Sequence, residues 1–173
     1  VQAYIDGAVR TVATCAKHFP GHGFVDSDSH LQLPVDRRAA ADVLGPTLAP
    51  FRIAAAASPA IMTAHILYPH LDSIFPATLS RKIIADILRG ELAYSGVVIT
   101  DDLEMAAITS KRDVKEAAIL AIEAGCDIIT ISRRFRKTDV ESISRAVLKA
   151  VEKGRITAER IDASFMRVLK LKD

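Results

Sequence analysis

Four short apolar segments alternate along the chain with longer segments whose apolar residues recur at helical spacing. The short segments are rich in β-branched residues and have no polar face, which is typical of strands covered on both sides. They are residues 11–16, 59–64, 96–100 and 126–131. The helical segments are residues 43–57, 80–92, 114–124, 140–153 and 157–170. Strands that alternate with helices predict an α/β fold built on a parallel sheet.

Residues at the ends of the helical segments fit these bounds. Ser80 and Thr157 are expected to cap helix N-termini with their hydroxyl groups. Gly125 and Gly154 are expected to end helices, because glycine tolerates the left-handed backbone found there. Residues 1–10 have the pattern of a helix end, so the chain is expected to be part of a longer protein.

Polar side chains gather where each predicted strand ends. They are Lys17 and His18, Thr63 and His65, Asp101 and Asp102, and Ser132 and Arg133. In a (β/α)₈ barrel this end of the sheet is the active-site face. Four units cannot close a barrel that needs eight. The pattern alone therefore leaves two alternatives, a small doubly wound sheet and half of a barrel.

The richest set of polar residues follows the first strand, in the segment 17–30. Pro20 fixes its own backbone, and Gly21 and Gly23 permit conformations closed to other residues, so a sharply turned loop is predicted. The loop carries an Asp28-Ser29-His30 sequence. An aspartate bonded to one imidazole nitrogen fixes the tautomer and raises the basicity of the other nitrogen, which suits general acid and base catalysis. Alternatively, Asp28 only shapes a turn.

A second candidate lies at the end of the third strand. A carboxylate held there by the sheet can act as a nucleophile on an anomeric carbon. Asp101 and Asp102 both qualify by position, and either could instead cap a short helical turn. His65 ends the second strand and has two interpretations, a cavity-lining group or a structural histidine. His22 and Asp26 are interpreted as loop-ordering and turn-forming residues.

Metal and cofactor chemistry find little support. His18, His22 and His30 could supply imidazoles, but Pro20 interrupts the helix that a His-x₃-His zinc site needs. Neither dinucleotide-binding nor P-loop glycine spacing is present around Gly21. We therefore expect no metal and no cofactor. Cys15 and Cys126 fall in predicted strands and are expected to be small buried hydrophobic residues rather than disulfide partners.

Composition narrows the class of protein further. At 173 residues, half of them hydrophobic, the chain should form one domain. The net charge is +2 and the basic residues are mixed with acids, which gives no support to nucleic-acid binding. No apolar run reaches the roughly 18 residues of a membrane span. A cytoplasmic location is the expectation, although no segment fixes the compartment.

Together these motifs resemble family 3 glycoside hydrolases, in particular their β-N-acetylglucosaminidase branch. The resemblance is carried by Lys17 to Gly23 with Asp28-Ser29-His30, by residues 61–65 and 97–103, and by the closing residues 161–165. It implies a (β/α)₈ TIM-barrel fold in which residues 1–173 form the C-terminal half, about the last four βα units. The implied roles are nucleophile for Asp101, acid/base for His30 with Asp28, and sugar-hydroxyl binding for Lys17 and His18.

The resemblance also implies an activity. It is retaining removal of terminal non-reducing N-acetylglucosamine (GlcNAc) through a covalent glycosyl-aspartate, with cell-wall saccharides as the expected substrates. Two alternatives share the fold, a glycoside phosphorylase and a β-glucosidase. A third is an inactive half-barrel that needs another chain, or a missing N-terminal half, to complete it.

Overall fold

The structure, a computed structural model, describes residues 2–8, 11–132 and 139–172. Its strands are β1 (Cys15–Phe19), β2 (Ala60–Thr63), β3 (Val97–Asp102) and β4 (Ile128–Thr130). Its α-helices are α1 (Gln2–Ala8), α2 (Ala40–Asp42), α3 (Ala49–Ala57), α4 (Ala106–Thr109), α5 (Val114–Ala124), α6 (Val140–Glu152) and α7 (Ala158–Lys172). Two π-helices lie at Val43–Thr47 and Lys82–Glu91, and a 3₁₀ turn lies at Ala77–Leu79. Arg133, expected at the end of the fourth strand, falls outside the described residues.

The four strands form one sheet in the order β1-β2-β3-β4, and every pairing is parallel. Each strand is joined to the next by a crossover that contains helix, as parallel pairing requires. The predicted α/β fold with a parallel sheet is confirmed. Because the strands are parallel, their carboxyl ends meet at one edge of the sheet, and the candidate residues lie on that edge.

The first strand begins four residues later than the pattern predicts. Thr11 and Val12 are exposed outside the sheet, whereas Lys17 and His18, expected after the strand, lie within β1. Lys17 and His18 lie within the strand because of Phe19, which is completely buried and packs edge-on against Phe51 with ring centroids 5.2 Å apart. Burying this ring holds the polar pair in the strand, so its side chains are positioned by the sheet.

The outer strands are less covered than their composition predicts. Residues of β2 and β3 are mostly buried, but the three residues of β4 are all partly exposed and β1 alternates between exposed and partly exposed positions. Within the described residues, β1 and β4 each pair with one neighbour only. Cys15 is exposed for this reason, so its predicted burial is wrong, while Cys126 is buried as predicted.

The helix ends agree with the sequence. The Ser80 hydroxyl accepts a hydrogen bond from the backbone N–H of Ile83, and the Thr157 hydroxyl accepts one from Arg160. Gly125 and Gly154 follow α5 and α6 with φ of +124° and +69°. None of the helices in the described ranges is long and apolar enough to cross a membrane.

The predicted helix over residues 43–57 is divided. Pro46 has no N–H to donate to the carbonyl of Asp42, which breaks the α-helical ladder. The hydroxyl of Thr47 donates to that carbonyl instead, at 3.2 Å, and Leu48 donates to the carbonyl of Val43 five residues back. The chain therefore makes a wider π-type turn before α3 begins.

A buried carboxylate holds α7 against the end of the sheet where β4 begins. Asp127, just before β4, has a completely buried side chain that accepts hydrogen bonds from Val98 N–H at 2.9 Å and the Ser164 hydroxyl at 2.6 Å. Three guanidinium groups surround it, those of Arg89, Arg160 and Arg167 at 2.5, 3.5 and 3.0 Å. This cluster joins the π-helix Lys82–Glu91, β4 and α7.

Asp127→Asn in the complete protein is expected to lower the free energy of unfolding by about 3–5 kcal/mol, the usual cost of breaking a buried ion pair. The amide keeps the volume but removes the charge that three guanidinium groups face. Urea unfolding of the variant measures the change. Glu141→Gln, in the exposed pair with Arg145, is the matched control and should cost about 1 kcal/mol or less. Equal effects of the two substitutions would contradict the prediction.

Candidate active site

Asp101 lies at the end of β3 with its carboxylate only 24% exposed. One carboxylate oxygen, Oδ1, accepts a hydrogen bond from the backbone N–H of Asp102 at 2.8 Å. The other, Oδ2, lies 3.7 Å from Nε2 of His18 on β1. The sheet and the hydrogen bond from Asp102 therefore fix the direction of this carboxylate, which is what a nucleophile needs.

Asp102 points to the opposite side of the strand and is nearly buried. Its carboxylate accepts hydrogen bonds from the backbone N–H groups of Glu104 and Ser132, at 3.0 and 3.3 Å, and from the Ser132 hydroxyl. These bonds tie the end of β3 to Ser132, two residues after the end of β4. Of the two aspartates that the sequence offers, Asp102 is thus engaged in structure, and Asp101 carries the partly accessible carboxylate.

His18 and Lys17 occupy adjacent positions of β1, and the peptide bond between them is cis. Burial lowers the pKa of His18, and the neighbouring Asp101 carboxylate opposes that shift. Both side chains line a cavity of about 380 Å³ that also includes His22, whose ring centroid lies 5.7 Å from that of His18. The two residues expected to bind sugar hydroxyls therefore face one cavity, and His18 also approaches the Asp101 carboxylate.

The Asp28–His30 pair forms as the sequence suggests. The Oδ1 atom of Asp28 accepts hydrogen bonds from the backbone N–H of His30 at 2.9 Å and from its ring Nδ1 at 2.7 Å. The backbone bond and then the ring bond hold the pKa of Asp28 below its ordinary value. Asp28 is therefore ionised at neutral pH and places the proton of the imidazole on Nδ1.

The loop that carries this pair is fastened to the segment after β3. The carbonyls of Ser29 and His30 accept hydrogen bonds from the N–H groups of Ala107 and Ala106, at 3.2 and 3.4 Å. Those N–H groups open α4, five residues after Asp101. The structure thus anchors the acid/base candidate on the segment that follows β3, although His30 and Asp101 lie more than 70 residues apart in the chain.

Gly21 determines how the loop leaves β1. Its φ is +154°, and a Cβ atom there would lie 2.2 Å from Cγ2 of Thr47. The hydroxyl of the buried Tyr68 donates to the carbonyl of the same glycine. The backbone can approach the π-helix Val43–Thr47 this closely only without a side chain, which explains a glycine directly after Pro20.

Near the site, the sequence gives no signal for the role of Arg38 and does not decide the role of His65. Arg38 stacks on the ring of Phe24 at 3.6 Å and bonds through its guanidinium to the buried Asp36, so it fastens the middle of the loop. His65 is 1% exposed, and both of its ring nitrogens are hydrogen-bonded. Of its two interpretations, the structural one is confirmed, and no pattern of spacing distinguishes it from a cavity-lining histidine.

The three loop histidines that could supply imidazole ligands to a metal are His18, His22 and His30. Among the residues that the structure describes, no group of three or more histidine, cysteine, aspartate or glutamate side chains is placed to hold a metal ion. The imidazole of His30 is instead bonded to Asp28, and that of His18 faces Asp101.

Comparison with known proteins supports the same family that the motifs indicate. Residues 1–171 match the family model described as the Glycosyl hydrolase family 3 N terminal domain. A protein from Bordetella avium named Beta-hexosaminidase is 43% identical over 135 residues, which cover 77% of this chain and 38% of that protein. The chain thus spans little more than a third of the length of such curated relatives.

Solved structures agree. A glycoside hydrolase family 3 beta-N-acetylglucosaminidase from Paenibacillus sp. superposes with a TM-score of 0.88 at 48% identity, covering 93% of this chain and 31% of that one. A structure titled Beta-glucoside phosphorylase BglX superposes equally well, with a TM-score of 0.88, at 27% identity, covering 99% of this chain and 32% of that one. The chain belongs to glycosyl hydrolase family 3, and its four βα units are of the TIM-barrel type that this family's N-terminal domain adopts.

Proposed function

We propose that the protein containing this chain is a retaining exo-β-N-acetylglucosaminidase that removes terminal GlcNAc from saccharides. The observation that carries the proposal is the bonded Asp28–His30 pair, whose backbone is hydrogen-bonded to the start of α4, five residues after Asp101. The names of the Bordetella avium and Paenibacillus relatives support the same substrate class. Cell-wall saccharides remain the proposed natural source of that sugar.

In the first half of the proposed reaction, a carboxylate oxygen of Asp101 attacks the anomeric carbon and forms a glycosyl ester. The bond from that carbon to the leaving oxygen breaks, and the oxygen takes the proton from Nε2 of an imidazolium at His30. Ionised Asp28, bonded at Nδ1, stabilises the imidazolium. The imidazole, the ester and the leaving alcohol that result are all neutral, because the negative charge of Asp101 and the positive charge of the imidazolium are both removed in this step.

In the second half, the same Nε2 accepts a proton from a water molecule as the water oxygen attacks the anomeric carbon. The ester bond to Asp101 breaks, its carboxylate is regenerated, and the released sugar has the configuration of the substrate. Lys17 and His18 are proposed to donate hydrogen bonds to sugar hydroxyls, because both line one cavity and Nε2 of His18 lies 3.7 Å from the Asp101 carboxylate.

We further propose that residues 1–173 form the C-terminal half of one (β/α)₈ catalytic domain. Two observations support this domain assignment. The described sheet has four parallel strands, half the number that closes such a barrel. Both outer strands have exposed or partly exposed residues and an edge that no described strand covers. Closure of a barrel removes such edges. The other strands would come from a segment of the longer protein or from another chain.

A phosphorylase is the second candidate, since a structure with that title shares the fold. A histidine acid/base, unlike a carboxylate, does not repel incoming phosphate once it is neutral. In that reaction phosphate oxygen, rather than water, attacks the glycosyl ester, and the product is a sugar 1-phosphate. The hydrolase is preferred because the hexosaminidase relatives are more similar in sequence.

The test uses the complete enzyme with a GlcNAc disaccharide and with the corresponding glucoside, each in phosphate-free buffer and with inorganic phosphate added. We expect free GlcNAc under both conditions, with the β-anomer as the first product by NMR, and little cleavage of the glucoside. A sugar 1-phosphate as main product would favour the phosphorylase. Preference for the glucoside would favour a β-glucosidase, and an α-anomer as first product would contradict the covalent mechanism.

A further inference from the structure

A chain of buried polar groups connects the ends of β2 and β3. The Thr63 hydroxyl donates to the Thr78 hydroxyl at 2.9 Å, and Thr78 Oγ1 lies 2.7 Å from Nδ1 of His65. Nε2 of His65 lies 2.9 Å from the backbone carbonyl oxygen of Asp102. The side chains of Thr63, Thr78 and His65 are at most 1% exposed. None of these groups is among the motif residues to which we assign a step.

The direction of the protons in this chain follows from the chemistry of its ends. The carbonyl oxygen of Asp102 can only accept, so Nε2 of His65 must carry a proton. Burial lowers the pKa of His65, which favours the neutral ring and leaves Nδ1 as an acceptor. The Thr78 hydroxyl has one proton and two acceptors within reach, Nδ1 of His65 at 2.7 Å and the Ala64 carbonyl oxygen at 2.9 Å. Beside a neutral ring protonated at Nε2, Thr78 donates to the nearer acceptor, Nδ1, and the Ala64 carbonyl keeps the backbone N–H of Thr78 at 3.3 Å.

Asp102 is the residue whose backbone touches the nucleophile candidate. Its N–H donates to Oδ1 of Asp101, while its carbonyl is held by His65 and by the N–H of Met105. Fixing the carbonyl limits rotation about the backbone bonds of Asp102, so its N–H stays directed at Oδ1 of Asp101. The imidazole thus acts on the Asp101 carboxylate through one residue, without contact with the sugar.

We propose that His65 is a positioning residue for the reaction: its neutral ring, held at Nδ1 by Thr78, grips the Asp102 carbonyl through Nε2 and so orients the Asp101 carboxylate for attack. This inference rests on the proposed function, in which Asp101 is the nucleophile. It differs from a packing role because it requires a donor at the Nε2 position, and a side chain of similar size without that donor would not suffice.

The test compares variants that separate the donor from the volume, in the complete enzyme with an aryl β-GlcNAc glycoside. His65→Asn keeps an acceptor for Thr78 but is too short to reach the Asp102 carbonyl, whereas His65→Gln reaches it. We expect His65→Asn to lower kcat by at least about tenfold with KM changed less than twofold, since misplacement of a reacting group lowers the rate without altering sugar contacts. His65→Gln should recover most of kcat.

Thr63→Val is the matched control, because it removes a buried hydroxyl of the same chain without touching the imidazole. Its kcat should stay within about threefold of the wild type, which corresponds to well under 1.4 kcal/mol. If His65→Asn does not fold, Thr78→Val takes its place, since it removes the anchor at Nδ1, and Thr78→Ser should restore activity. Thermal melting identifies the folded variants.

A kcat for His65→Asn within twofold of wild type would overturn the proposal, as would equal losses in the asparagine and glutamine variants. So would a loss for Thr63→Val as large as that for His65→Asn. Nitrogen-15 NMR of the histidine rings gives a readout independent of the reaction, with a neutral His65 protonated at Nε2 expected at neutral pH. A cationic ring or the Nδ1–H tautomer would also overturn it. Full activity of an Asp101→Ala enzyme, by contrast, would refute the proposed function and leave the NMR result standing.

Discussion

Replacing Asp101 with alanine is expected to abolish turnover in the complete enzyme, with kcat lower by at least about two decades, or roughly 2.8 kcal/mol of transition-state stabilisation. The substitution removes the carboxylate that forms the covalent ester, and no other described carboxylate shares its position beside His18. Stability should change little, because the side chain is partly exposed and its oxygens bond to one backbone N–H. Steady-state kinetics on an aryl β-GlcNAc glycoside and thermal melting measure the two effects.

Asp102→Asn provides the comparison for that result. It keeps the side-chain volume at the neighbouring position but weakens the bonds to Glu104 and Ser132, so it should reduce stability more than Asp101→Ala does and reduce kcat less. The opposite outcome, an active Asp101→Ala enzyme and an inactive but folded Asp102→Asn enzyme, would place the nucleophile one residue further along. Equal inactivation of both, with both folded, would leave Asp101 without a distinct role.

The parallel sheet and the order of its elements could be predicted from the sequence because each strand is a short apolar segment followed by helical periodicity. The bounds of β1 could not. Its end depends on Phe19, whose burial against Phe51 is a contact between residues far apart in the chain. A pattern of local polarity placed Lys17 and His18 after the strand, whereas tertiary packing places them in it.

The site was predictable to the extent that its residues lie in one motif or at strand ends. Asp28 and His30 are two positions apart, so their hydrogen bond is local and could be anticipated. The anchoring of their loop on α4 joins residues more than 70 positions apart and has no sequence signature. The same holds for the bond between His65 and the Asp102 carbonyl, because a backbone acceptor leaves no trace in the sequence.

Replacing His30 with alanine should affect substrates according to their leaving groups. The leaving group of a GlcNAc disaccharide departs as a poorly stabilised alkoxide unless its oxygen is protonated, so kcat/KM for this substrate should fall by about 10²–10⁴, the usual contribution of a general acid. The acidic phenol of an aryl glycoside departs without protonation, so the first step with this substrate should slow by less than about tenfold. The ratio of the two losses, measured on one enzyme preparation, is the diagnostic quantity.

Two further variants separate acid catalysis from loop structure. His22→Ala removes an imidazole from the same loop, and it should slow the cleavage of both substrates alike, because His22 contacts the ring of His18 and no step is assigned to it.

Asp28→Asn should give a weaker form of the His30→Ala pattern. The carboxylate of Asp28, ionised at neutral pH because its pKa is lowered, stabilises the imidazolium, and an amide does not. Equal slowing of the disaccharide and the aryl glycoside in His30→Ala would show that His30 orders the loop and that the proton comes from another group.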